Sequence, residues 1–405
     1  SKTIYQAIEI KTSSITSFGV DAALTLVNGK PTKPGMTATT SYTNTYSVIP
    51  HYNISSTPAN PAIATANGKG YVTAKDCGTT NITFTFAGRS AVCAVTSYYS
   101  TIVPKELIKR IYGHDRYDTA MALAKEYLSL SGQSKLHEVI VANGDQFPDA
   151  LSGSTLSIAD GAPTLLVSNF QYVQDKVEAY IKSNVEPGGL VYILGGTGAV
   201  PQAFADKLMD AGFEVVRFSG TDRYFTNLSI LQGVNLGEEL LVCCGTDYPD
   251  AAAAAATGRP VLLVGGSSLT EQQLNFLGSI EPKHVYIIGG TGAVSAAIEE
   301  QIRPYASSVT RLKGSNRAET AVAVAREFFP SQLDAVVFAY GGNFPDCIAG
   351  GLYANALVAP ILYGYPAQNF LDPAKAYIKS VGAKGAYALG GDWFVTNCFV
   401  GHAFN

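Results

Sequence analysis

Three arginines occupy one slot in three related stretches. Residues 115–117 and 222–224 both read Asp-Arg-Tyr, and residues 316–318 read Asn-Arg-Ala, which aligns Arg116, Arg223 and Arg317. A planar guanidinium fork at a fixed position suits a phosphate or carboxylate carried by a polymer. It equally suits an internal ion pair with Asp149, Asp250 or Asp346. A second set of groups lies in the Gly-Gly-Thr-Gly turns at residues 195–198 and 289–292, each between an apolar run and a helix. Backbone amides at a helix start can hold an anion, so Gly196, Thr197, Gly198, Gly290, Thr291 and Gly292 are candidate polymer contacts. The other reading is a tight strand-to-helix turn that needs a left-handed residue. Neither turn is a P-loop or a dinucleotide fingerprint, because the Gly-Lys-Ser/Thr ending and the full glycine spacing are missing. Arg110, Arg217 and Arg311 open the three stretches and read as locks between one unit and the next. Asp149, Asp250 and Asp346 each follow a proline and precede small residues, a context for helix N-caps rather than catalytic acids. His51, His114, His137, His284 and His402 share no motif or slot. The reading therefore assigns no catalytic residue, no metal and no cofactor.

The elements that must position these groups recur as well. Residues 191–200 read Val-Tyr-Ile-Leu-Gly-Gly-Thr-Gly-Ala-Val and return as residues 285–294, then in altered form as 386–395, where Asp392 and Trp393 replace Thr and Gly. Apolar runs ending in paired glycines are buried strands entering tight turns. Each repeat runs in the same order: a short strand with its arginine, then a helix (119–127 and 320–328 are clearest), then a buried strand ending in Phe-Pro-Asp or Tyr-Pro-Asp. A small-residue helix follows (150–159, 251–257, 347–356). Then come a further strand, an amphipathic helix such as 174–182, and the glycine-ended strand, where Tyr192, Tyr286 and Tyr387 face the core. Almost wholly apolar strands alternating with helices mean parallel sheets covered on both faces. The result is three α/β units of roughly 95–105 residues each. In the third, the closing residues 397–405 stand where a final helix belongs.

Residues 1–100 differ. They are rich in Thr, Ser, Asn and Tyr, with turn signals at Asn28-Gly29, Asn67-Gly68 and Ala87-Gly88 and short alternating runs between. Short strands at regular spacing predict a β-sandwich. Residues 97–109 connect it to the repeats. Net charge is −4 with only 15% charged residues, which excludes the basic footprint of a nucleic-acid binder. No apolar run approaches a membrane span. The start at Ser-Lys-Thr reads as a processed chain or an expressed segment. Cys77 and Cys93 flank a predicted hairpin whose register sets Cys93 opposite about Thr83, so the six cysteines read mainly as buried thiols.

Two resemblances are carried by these residues. Residues 59–83, with Asn-Pro, Ala-Thr-Ala, Gly-Tyr-Val-Thr-Ala and Gly-Thr-Thr-Asn-Ile-Thr in order, resemble the bacterial immunoglobulin-like group 2 family. Over residues 109–405, the Arg-…-Gly-…-Asp-Arg-Tyr opening, the Gly-…-Phe-Pro-Asp-Ala-Leu middle and the glycine-ended strand resemble the cell wall binding repeat 2 family of Gram-positive surface proteins. This resemblance implies a Toprim-like α/β fold per repeat, three repeats packed as a pseudo-trimer, and noncovalent anchoring to an anionic cell wall polysaccharide. The implied layout is an immunoglobulin-like sandwich over residues 1–100 and repeats over 109–216, 217–310 and 311–405. The implied place is outside the cell, at the wall or surface.

Three functions follow for comparison. A wall-anchoring module would use Arg116, Arg223 and Arg317 along grooves between repeats, and its binding would weaken with salt. A structural surface-layer component would use the same surfaces on protein partners, in the layer or on a host. A phosphoester-handling enzyme would need paired acids at a strand end, and no repeat carries Asp-x-Asp there.

Overall fold

The opening strand of each repeat completes the sheet of the repeat before it. This is seen in the computed structural model, which describes residues 15–26, 31–40, 45–47, 54–97, 107–365, 371–392 and 394–404. Among the features read from the sequence, the Asn28-Gly29 turn, His51, most of the 97–109 connector and Trp393 lie outside the described residues. The chain divides into two compact units. One comprises the described residues of Ser1–Pro104 and Thr396–Gly401, the other those of Lys105–Val395 and His402–Asn405.

In the larger unit, three four-stranded sheets share one topology. The first orders its strands Thr164–Val167, Leu136–Asn143, Val185–Leu194, Glu214–Phe218. The second orders Val261–Val264, Glu239–Cys244, His284–Ile288, Ser308–Leu312. The third orders Ile361–Gly364, Ala335–Tyr340, Gly385–Leu389 and, from the chain's beginning, Ile108–Ile111. All pairings are parallel, and the three leading arginines share one register: Arg217 opposite Ile193, Arg311 opposite Ile287, Arg110 opposite Ala388. Handing one strand backward at each step, with the first strand closing on the third sheet, makes the three repeats a closed ring.

Small residues let the ring close tightly. The helix Phe147–Asp160 packs on Arg223–Leu231, Pro249–Ala254 on Arg317–Phe328, and Pro345–Ala349 on Arg116–Ser131. Ala251 and Ala252 of the helix Pro249–Ala254 are fully buried. At Gly153 and Gly350 a methyl group would lie 2.3 and 2.2 Å from the Cδ1 atoms of Leu194 and Leu389, so helix and sheet approach too closely for any side chain there. A buried amide completes one sheet edge. Asn227 accepts from the Leu263 N–H and donates to the Val261 carbonyl, both at 2.9 Å, satisfying the edge strand Val261–Val264.

The smaller unit is all β in its described N-terminal part. One sheet orders Ala23–Leu26, Arg89–Ser97, Gly78–Phe86 and Ser55–Pro58, and another orders Ile15–Val20, Met36–Thr40 and Thr45–Ser47. Phe18 and Met36 share an apolar core with Leu26, Ile82, Phe84 and Val95. The strands Gly78–Phe86 and Arg89–Ser97 are joined by Ala87 and Gly88, with φ of 50° and 76°, the paired left-handed conformation of a two-residue hairpin turn. Cys93 lies opposite Ile82, one place from the expected Thr83.

Two expectations are corrected. Cys77 is not a thiol: it is bonded to Cys398, while Cys93, Cys243, Cys244 and Cys347 are free and buried. The partner is 321 residues away, beyond the reach of any local register argument. The closing residues also do not lack a helix. Asn397–Phe404 is helical, and the Thr396 hydroxyl caps it by accepting from the Phe399 N–H at 3.0 Å.

Candidate functional site

The predicted site residues meet where one repeat abuts the next, and they do so three times. Arg110, Arg217 and Arg311 each donate from NH1 to the carbonyl of the first glycine in the preceding turn of the ring: Gly390 at 2.8 Å, Gly195 at 2.8 Å and Gly289 at 2.9 Å. Each links the opening strand of one repeat to the glycine turn of another. Arg311 is further held by Glu299, 2.9 Å from its NH2.

Arg116, Arg223 and Arg317 open the next helices. Each donates from NH1 to the carbonyl that ends its own repeat's central strand: Gly144 at 2.6 Å, Gly245 at 2.8 Å and Gly341 at 2.9 Å. Each guanidinium also lies over an aromatic ring of the preceding repeat: Arg223 over Phe147 at 5.6 Å, Arg317 over Tyr248 at 5.9 Å, Arg116 over Phe344 at 5.8 Å. Those three rings form a triangle, with centroids 5.8, 6.0 and 6.1 Å apart. Aromatic contacts at this spacing and guanidinium–ring contacts are both attractive. The centre of the ring is therefore an aromatic plug with three arginines around it. Burial pushes the Tyr248 hydroxyl up to about 12, so it stays protonated and donates to the Gly341 carbonyl at 3.2 Å. Reading the sequence missed this cluster, although the aromatic before each Pro-Asp was its visible mark.

The aspartates are not N-caps. The helices begin upstream of them, at Phe147, Pro249 and Pro345, and the capping residues Gln146, Tyr248 and Phe344 make no side-chain cap bond. Proline is pre-shaped for the first helical turn, which leaves Asp149, Asp250 and Asp346 inside that turn. Their carboxylates pack instead against the glycine turns. A methyl group on Gly195, Gly289 or Gly390 would lie 2.2–2.3 Å from the Oδ2 of Asp149, Asp250 or Asp346, and these glycines have φ of +97°, +106° and +86°. Burial raises all three carboxyls above their ordinary value. Thr226 and Thr320 hydroxyls and the facing Arg223 and Arg317 pull Asp149 and Asp250 back down. Asp346 has only Arg116 opposing its burial and stands at about 6.

The real caps lie elsewhere. Asp115 accepts from the Asp118 N–H at 2.8 Å, Asp222 from the Tyr224 and Phe225 N–H groups at 2.8 and 3.0 Å, and Asn316 from the Glu319 N–H at 3.0 Å. An Asp or Asn directly before a helical run was the available signal. It also explains why Asn316 replaces Asp at little loss, since both cap well.

One cavity, of about 430 Å³, opens between the first and second repeats. Its lining includes Asn143, Asp145, Gln146, Asp149, Asn169, Gly196, Gly198, Asp222 and Arg223. Asn143 ties it together, donating to the Ala199 carbonyl at 2.8 Å and accepting from the Asp145 and Gln146 N–H groups at 2.7 and 3.1 Å. Gly196 and Gly198 differ from Gly195. Neither has a left-handed φ, and a methyl group on either would meet nothing within 4 Å. Gly290 and Gly292 are the same, whereas Thr197 is exposed but not part of this cavity's lining, and Thr291 is likewise exposed. At the end of the central strand, Asn143 is matched by Cys244 in the second repeat and Tyr340 in the third. Tyr340 stacks on Phe394 at 4.4 Å, so that position is filled by aromatic rings rather than by an amide.

Comparison with known proteins matches residues 110–205, 217–299 and 311–398, in three successive segments, to cell wall binding domain 2 (CWB2). The chain belongs to this family. As a CWB2 chain it is a cell wall binding protein of the wall or cell surface. It is similar to N-acetylmuramoyl-L-alanine amidase LytC of Bacillus subtilis (strain 168), 26% identical over 261 residues, which are 64% of this chain and 50% of that one. It is also similar to the amidase enhancer of the same organism, 29% identical over 258 residues, 63% of this chain and 34% of that one. The chain thus spans half the length, or less, of these curated relatives. Among solved structures it shares its fold with Cwp8 from Clostridium difficile (TM-score 0.66, 22% identity, 80% of this chain and 58% of that one). Cwp6 from the same organism gives a TM-score of 0.64 at 21% identity, over 96% of this chain and 68% of that one. Among the described residues, no helix of this CWB2 chain is long and apolar enough to cross a membrane.

Proposed function

We propose that this chain anchors a surface protein noncovalently to a Gram-positive cell wall by binding an anionic wall polysaccharide in the groove between repeats. We read its four-stranded parallel units as Toprim-like. The N-terminal β unit, on the motif in residues 59–83, is read as an immunoglobulin-like spacer or adhesive module. The observation that carries the binding proposal is the pair Gly196 and Gly198. Gly195 is required by its backbone conformation and by Asp149, but nothing inside the protein requires glycine at positions 196 and 198. Both line the cavity beside Arg223. Bare backbone facing an open cavity is what a closely approaching ligand needs.

Arg116, Arg223 and Arg317 enter this proposal mainly as builders of the groove, since each has NH1 on a carbonyl and its face on an aromatic ring. Replacing them would disturb the ring as well as any ligand. The discriminating variant is therefore Gly198→Val, which adds bulk to the cavity at a position where an added Cβ has nothing within 4 Å. Wild type should co-sediment with purified Gram-positive wall material, and Gly198→Val should be released at an unchanged melting temperature. Equal retention of a folded Gly198→Val would overturn the assignment of this groove.

A further inference from the structure

The cavity between the first and second repeats has the wrong charge for an anion. Asp145, Asp149 and Asp222 line it against the single guanidinium of Arg223, which already donates to the Gly245 carbonyl at 2.8 Å. A phosphate or carboxylate placed there would face like charges at close range, which disfavours it. The same groups suit hydroxyls. Carboxylates accept hydrogen bonds through both oxygens, and the exposed amides of Gln146 and Asn169 can both donate and accept. Among the described residues, neither amide side chain is bonded to another protein group.

A second observation points the same way. Directly after Asn169, Phe170 and Tyr172 stand 64% and 62% exposed. Their rings lie 6.0 Å apart at 30°, a stacked pair. Single exposed apolar residues are ordinary. Two large exposed aromatics, stacked on each other and following the cavity-lining Asn169 in the chain, offer a platform for the apolar face of a ring-shaped ligand. The second repeat has no counterpart: at its equivalent helix, Glu271–Ile280, the N-cap Thr270 and Gln272 stand at the places of Phe170 and Tyr172.

We propose that this cavity and the Phe170–Tyr172 platform form a subsite for an uncharged, hydroxyl-rich sugar unit, with the polymer's anionic groups held outside it. Hydroxyls meet Asp145, Gln146, Asn169 and Asp222, and the C–H face of a sugar ring lies on the aromatic pair. This deepens the anchoring proposal and rests on it.

The test uses the full chain and three probes. These are purified Gram-positive wall polysaccharide, the same material after hydrofluoric acid removes its phosphodiesters, and inorganic polyphosphate. The dephosphorylated sugar should compete with wall binding and polyphosphate should not. Affinity should change less than about twofold between about 50 and 500 mM NaCl, since no ion pair to the ligand is being screened. The surface variants Phe170→Ser/Tyr172→Ser and Gln146→Ala/Asn169→Ala should each weaken binding by about tenfold or more. Competition by polyphosphate with a steep fall in salt, or binding unchanged in both folded variants, would overturn the neutral-sugar subsite and leave anchoring intact. Failure of wild type to bind any wall polysaccharide would overturn anchoring and the subsite together.

Discussion

Replacing Asp346 by asparagine removes the one interface carboxyl whose burial is barely opposed. Its value stands at about 6 against an ordinary 3.8. Desolvation is the larger cause, and the facing Arg116 offsets only part of it. A rise of about two pH units corresponds to about 3 kcal/mol of penalty on ionising the group in the folded state. The sign follows from linkage. The folded protein holds this proton more tightly than the unfolded chain does. Its stabilising share is complete below the unfolded value and is lost as pH rises through about 6. Asparagine has nothing to ionise and keeps the shape. Asp346→Asn should therefore match wild type near pH 4 and exceed it at pH 7 by up to about 3 kcal/mol. Circular dichroism during denaturant unfolding at the two pH values measures this. The quantity to compare is the pH-dependent change in midpoint, because two units make a single unfolding free energy ill defined. Wild type and variant midpoints moving in parallel from pH 4 to 7 would refute the burial argument. So would a variant clearly weaker than wild type at pH 7.

Two further predictions concern the fold. Gly195→Ala forces a side chain onto a φ of +97° and 2.3 Å from the Asp149 Oδ2, and should lower stability by about 2–4 kcal/mol. Gly198→Ala, in open space at an ordinary φ, should stay within about 0.5 kcal/mol of wild type; denaturant midpoints of the two variants measure the contrast. Loss of the Cys77–Cys398 bond by Cys77→Ser should destabilise the unit that holds both residues by about 2–5 kcal/mol. Peptide mapping without reductant should recover the two cysteines in one linked fragment, and the remaining four thiols should react only after unfolding.

Much of the fold was legible because it is local. Apolar runs with paired glycines marked the strands, and periodicity placed helices that the structure extends by a few residues, as at Arg116–Ser131 and Phe147–Asp160. The candidate site was legible only in its membership. Gly196, Gly198, Asp149 and Arg223 were all singled out, and they do line one cavity. Their roles were not legible. The aspartates looked like caps because Pro-Asp-small is a capping context, yet Asp149 is turned toward Gly195, a residue of a different strand end. The arginines looked like free forks because the aromatic each one covers belongs to another repeat.

The sequence by itself determined three α/β repeats of parallel strands, a distinct β-rich N-terminal region, and the residue types available at each turn. These follow from spacing and alternation within short windows, which local backbone preferences enforce. Only the tertiary structure decided that Ile108–Ile111 closes the ring on the third sheet, that Phe147, Tyr248 and Phe344 meet at its centre, and that Cys77 finds Cys398. It also decided that the three turns are not equivalent, with an open polar cavity after the first repeat and the Tyr340–Phe394 stack in the third. Each of these depends on side chains far apart in the chain competing for the same space, and packing, not local propensity, settles that competition.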